Sequence, residues 1–119
     1  MEQMKSYVNW RRCLKMKKND EKAVKINGFE GDVQKIADEL AVLLMRKHRD
    51  YGPKNISQSP GGPLNGLRVR MWDKMARINN LLDKPSSKPM YEPLEDSFMD
   101  MANYAIIGLM VQRVLWPND

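Results

Sequence analysis

The sequence predicts an all-α protein, a small up-down helical bundle, and three observations carry that prediction. From Ala102 to Leu115 the chain is apolar on every side, and a helix of that kind belongs in an interior. Leu67, Met71, Met75, Ile78 and Leu82 step by four and three, the stripe of a helix packed along one face. No segment alternates apolar and polar residues for long enough to build a sheet; the nearest is Ala23-Val24-Lys25-Ile26. At 119 residues the chain makes one domain with a single modest core.

Residues 1–31 read as a basic N-terminal arm and 32–119 as the helical domain. Within the arm, residues 3–18 carry an imperfect helical pattern from Met4, Tyr7, Val8, Trp10 and Leu14, and Asn27-Gly28 is a turn signal. Asp32 is placed to cap a helix running to about Arg49. Its inward face is Val33, Ile36, Ala37, Leu40 and Leu44. Lys47, His48 and Arg49 suit the negative end of its dipole, and Gly52-Pro53 stops it. Residues 52–66 hold three Pro and four Gly and read as a loop, either a plain connection or a cover over a ligand. Gly61-Gly62 would let backbone N–H groups approach a phosphate, although no P-loop surrounds them. The next helix spans Leu67 to about Asp83. After a second Pro/Ser loop at 84–91, Pro93 opens the final helix, with Glu95 and Asp96 at its positive end. Trp116-Pro117 ends that helix, giving expected helices at 33–49, 67–83 and 94–115. Leu40, Leu44, Met71, Ile78, Ile106 and Leu109 are expected to be buried.

Composition narrows the function. With 42% apolar and 29% charged residues the chain is a globule, not a disordered segment. One Cys and one His exclude an internal disulfide and a His- or Cys-based zinc site within one chain. Any metal would be held by oxygens, which points to Mg²⁺ or Mn²⁺. No apolar run reaches a membrane span and no signal peptide opens the chain, so the expected compartment is the cytoplasm. Of the 20 basic residues, eight lie in residues 1–25 against three acids. That arm, with Tyr7 and Trp10, could contact nucleic acid.

Polar stripes mark the candidate site. Asp96, Asp100 and Asn103 fall at i, i+4 and i+7, one line on an otherwise apolar helix. Carboxylates so placed need cations. Asp96 and Asp100 could share one metal ion, with Asp73 or Glu39 completing an oxygen shell from a facing helix. Arg70, Lys74, Arg77 and Lys47 would then hold phosphate, and the metal would activate water for cleavage of a phosphoanhydride. Without a metal, the same residues would pair as Asp–Arg bridges.

Three segments together carry a resemblance: Lys47-x-x-Asp50-Tyr51-Gly52, Leu67-x-x-Arg70-x-x-Asp73-Lys74-x-x-Arg77-Ile78, and Glu95-Asp96-x-x-x-Asp100-Met101-Ala102-Asn103-Tyr104-Ala105. Over about Ile36 to Met110 the chain resembles the phage and bacterial family called nucleotide modification associated domain, first type. That family is in turn similar to the all-α nucleoside triphosphate pyrophosphohydrolases of MazG type. The resemblance implies a helical bundle, often a homodimer, that handles nucleotides in the cytoplasm of a phage-infected host. It adds Asp50, Tyr51 and Tyr104 to the ligand-binding set and implies Mg²⁺ as cofactor. The pyrophosphohydrolases bind that ion through Glu-x-x-Glu and Glu-x-x-Asp helices. Here no helix before residue 84 has Glu-x-x-Glu, and the last helix spaces Asp96 and Asp100 one residue wider. Three functions follow: Mg²⁺-dependent processing of a modified nucleotide, nucleotide capture without turnover, and nucleic-acid binding through the basic arm.

Overall fold

The computed structural model describes residues 28–84 and 91–118. The described residues form four helices: α1 (Gly28–Tyr51), α2 (Lys54–Ser57), α3 (Pro63–Asp83) and α4 (Leu94–Gln112). No described residue lies in a strand, so the protein is an all-α bundle as its periodicity predicts. The chain divides into two compact units at Ile36–Ala37. Of the first, only the opening of α1 is described; the second holds everything that follows. The expectations for a helix at 3–18 and for the basic arm at 1–25 lie outside the described residues. No described helix is long and apolar enough to cross a membrane.

The described part of α1 opens at Gly28, so Asp32, the expected cap, lies inside the helix. Glu30 in its first turn and His48 and Arg49 in its last complement the dipole. The helix stops where expected. Gly52 takes a φ of +69° and donates its N–H to the His48 carbonyl at 2.8 Å, a left-handed cap that favours glycine. The expected loop at 52–66 is a correction: it contains α2, and its Ile56 is only 2% exposed. One apolar residue among Pro, Gly and polar neighbours has no periodicity, yet it fills the centre of the core. The start of the segment is tied to the C-terminal turn, where Trp116 Nε1 donates to the Pro53 carbonyl at 3.1 Å. α3 starts at Pro63, four residues early, because proline suits the first helical turn, where its missing N–H costs nothing.

α4 ends at Gln112, not Leu115. Leu115 N–H reaches back to the Met110 carbonyl at 2.8 Å, with Val114 in between at a φ of +56°. This is a Schellman-type closure with a β-branched residue where glycine is usual. It turns the chain so that Trp116 packs against the core.

The core of the second unit is Ile56, Leu67 and Ile107, with Leu44, Tyr104, Val111 and Trp116 packed against it. Ile78 is buried as expected, while Leu40, Leu44 and Met71 are half-buried. Ile106 and Leu109 are corrected: they are 36% and 47% exposed. An apolar surface on all sides of α4 states what the helix can bury, but here its neighbours cover one side. The buried positions of α4 are Ser97, Asn103 and Ile107.

Candidate functional site

Three charged side chains from three helices meet at Asp100. Lys47, in the last turns of α1, donates to Asp100 Oδ1 at 2.7 Å. Lys74, on α3, lies 2.9 Å from Oδ2. Each carboxylate oxygen therefore holds its own ammonium, and the Asp100 side chain is only 12% exposed. Burial is the largest influence on Asp100 and pushes its carboxyl up. The hydrogen bonds and charges of Lys47 and Lys74 together outweigh it and hold the group below the ordinary carboxylate range. Lys74 is raised by its hydrogen bond to Asp100 against the opposing effect of burial. Burial alone would lower Lys47, yet its bond to Asp100 leaves it raised. All three groups are charged at neutral pH.

Beside this cluster lies a cavity of about 250 Å³. Lys47, His48 and Tyr51 of α1 form one wall, Asn55 and Ile56 another. Arg70 comes from α3, and Asp100, Asn103, Tyr104 and Ile107 come from α4. Trp116 closes the site, its ring edge-on to His48 at 5.1 Å. Arg70 is held by one arm: Nη2 donates to the Asn55 carbonyl at 3.0 Å, while buried Nη1 has no partner among the described residues. His48 Nδ1 and both polar atoms of the Asn103 amide are likewise buried and unpaired. Buried polar atoms are nearly always hydrogen-bonded, so three such groups around one cavity mark a place for a polar occupant, whether water or ligand.

The predicted site residues separate into two sets. Lys47, Tyr51, Arg70, Asp100, Asn103 and Tyr104 line the cavity, and Lys74 joins them through Asp100. Arg77 does not: Nη1 donates to Ser97 Oγ at 2.6 Å and to the Pro93 carbonyl at 3.3 Å, and Nη2 donates to the Glu92 carbonyl. Its guanidinium anchors the start of α4. Glu39, Asp50 and Asp73 are exposed and Asp96 is half-buried; none lines the cavity. Among the described residues no three His, Cys, Asp or Glu side chains gather as a metal would require. The expected Asp–Arg bridges at Asp100 are Asp–Lys bridges instead.

Sequence reading missed His48, Asn55 and Trp116 as site residues. His48 carries a signal: it is the only His and directly follows Lys47. Asn55 and Trp116 carry none, since one lies on a single-turn helix too short for a period and the other follows a turn.

The described residues form an all-α bundle whose cavity is lined by cationic and amide side chains. The chain matches the family described as nucleotide modification associated domain 1 over residues 47–111, more than half of its length, and it belongs to that family. The matched span includes every described helix segment that lines the cavity from Lys47 onward. No curated protein and no solved structure matches the chain.

Proposed function

We propose that this protein binds a nucleotide, with its phosphates at Lys47, Lys74 and Arg70 and the remainder of the ligand in the adjoining cavity, in the service of nucleotide modification. The observation that carries the reading is the convergence of Lys47 and Lys74 on Asp100 beside an unpaired Arg70 Nη1. A guanidinium with one arm anchored and the other free is preorganised for a phosphate oxygen. The two ammonium groups add charge where solvent is partly excluded, which strengthens their pull on an anion. Family membership supports the nucleotide rather than some other phosphate.

Capture without turnover is the better-supported form. Both Asp100 oxygens hold lysines, and Asp96, Asp73 and Glu39 do not gather with it. This donor set does not fit a Mg²⁺ shell, so Mg²⁺-dependent phosphoanhydride hydrolysis finds no support in it.

The test is thermal unfolding of the wild type with nucleoside mono-, di- and triphosphates, in chelator and in Mg²⁺. Ligand at 100-fold its Kd stabilises by about 2.7 kcal/mol, a rise of roughly 10 °C for a domain of this size. The rise is expected in chelator and is weakened about tenfold in affinity by Arg70→Gln. Absence of any shift by nucleotides or pyrophosphate in either buffer refutes the proposal.

A further inference from the structure

We infer that Asn103 is a specificity-determining residue that reads the hydrogen-bonding edge of a heterocyclic base, with His48 Nδ1 as a second contact. The inference rests on the nucleotide reading above and assigns the far end of the same cavity. Asn103 is 5% exposed, yet neither its amide oxygen nor its amide nitrogen has a partner among the described residues. A buried primary amide left with both a donor and an acceptor is costly in a bundle core unless something completes it. The cavity it lines is the place where completion can occur.

Position along α4 gives the direction of the ligand. Asp100, Asn103 and Ile107 fall at i, i+3 and i+7 and all line the cavity, so they lie on one face of the helix in that order. The wall therefore runs from a charged cluster, through an amide about 4.5 Å further along the axis, to an aliphatic floor shared with Ile56. A ligand matching that gradient is anionic at one end, then flat with an apolar face and polar edges. A nucleobase has those properties. The amide offers one donor and one acceptor side by side, which complements an adjacent acceptor and donor on a base. Pyrophosphate has no such edge and would meet only the charged end.

The experiment titrates wild type, Asn103→Leu, Asn103→Ala and Asn103→Asp with pyrophosphate and with the four nucleoside monophosphates, and records the melting temperature of each ligand-free protein. Wild type is expected to prefer one base over the others. Asn103→Leu should weaken that nucleotide about 10- to 100-fold while changing pyrophosphate affinity less than threefold. It should also melt at or above the wild-type temperature, because it replaces an unsatisfied amide by an apolar group of similar size. Asn103→Asp removes the donor, so the ranking among bases should shift toward those presenting two adjacent donors; ratios within one variant cancel its added charge.

The inference is overturned if Asn103→Leu weakens pyrophosphate and nucleotide equally, if it changes neither, or if all four bases bind wild type alike. A large fall in melting temperature for both Asn103→Leu and Asn103→Ala also overturns it, since the amide would then be held by the protein itself. If only the leucine variant unfolds, the fault is steric and the alanine titrations decide by the same criteria. Wild type that binds pyrophosphate with no gain from a base leaves phosphate capture standing and removes this inference. Wild type that binds neither removes both.

Discussion

Asp100→Asn tests the centre of the site. The substitution keeps shape and removes the charge that two lysines share. The Lys74 side chain is 23% exposed, so its charge-assisted bond contributes about 1.5–2 kcal/mol. Lys47 is 47% exposed; screening by solvent reduces its share to about 0.5–1 kcal/mol. The sum, about 2–3 kcal/mol, falls below the cost of breaking a fully buried pair, about 3–5 kcal/mol. For a domain of this length it corresponds to a fall in Tm of roughly 10 °C. The pH dependence supplies a second readout. The Asp100 carboxyl is held below its ordinary value, so its contribution is present above about pH 4 and is lost as pH falls through the lower folded value. The lysines are raised; their contribution is present below about pH 10.4 and is lost as pH rises beyond it. Calorimetry of wild type and variant from pH 2 to 7 should show a wild-type acid limb that Asp100→Asn flattens. A variant that melts within about 2 °C of wild type at pH 7, with the same acid limb, would refute the ion-pair geometry.

Two further substitutions probe elements that periodicity did not predict. Ile56→Ala should cost about 2–5 kcal/mol, because Ile56 is a core residue in a nominal loop; urea unfolding would measure it, and a loss under about 1 kcal/mol would mean the segment is not packed. Val114→Gly should raise Tm by a few degrees, since relief of a left-handed valine, about 1–2 kcal/mol, outweighs the added backbone freedom of glycine, about 0.5–1 kcal/mol; a lower Tm would contradict the φ of +56° at that position.

Features that depend only on neighbours along the chain were legible in the sequence. The 3.6-residue period placed α3 and α4, Gly52-Pro53 ended α1, and the stripe Asp96–Asp100–Asn103 singled out the polar positions of α4. The charge stripes brought Lys47, Arg70 and Lys74 into the candidate set, and the three motifs added Tyr51 and Tyr104. Which of these side chains meet was decided only by tertiary structure. Periodicity sets the phase of residues within one helix and says nothing of how that helix is rotated against the next. Asp100 could face Arg70, Arg77 or a metal on the sequence alone; the packing of α1, α3 and α4 brings it to Lys47 and Lys74 and leaves Arg77 at Ser97. The same rotation buries Asn103 and Ile107 while exposing Ile106 and Leu109, one and two residues away along the chain. Ile56 enters the core from a single-turn helix and Trp116 from a turn, both too short for a repeating pattern to reveal them.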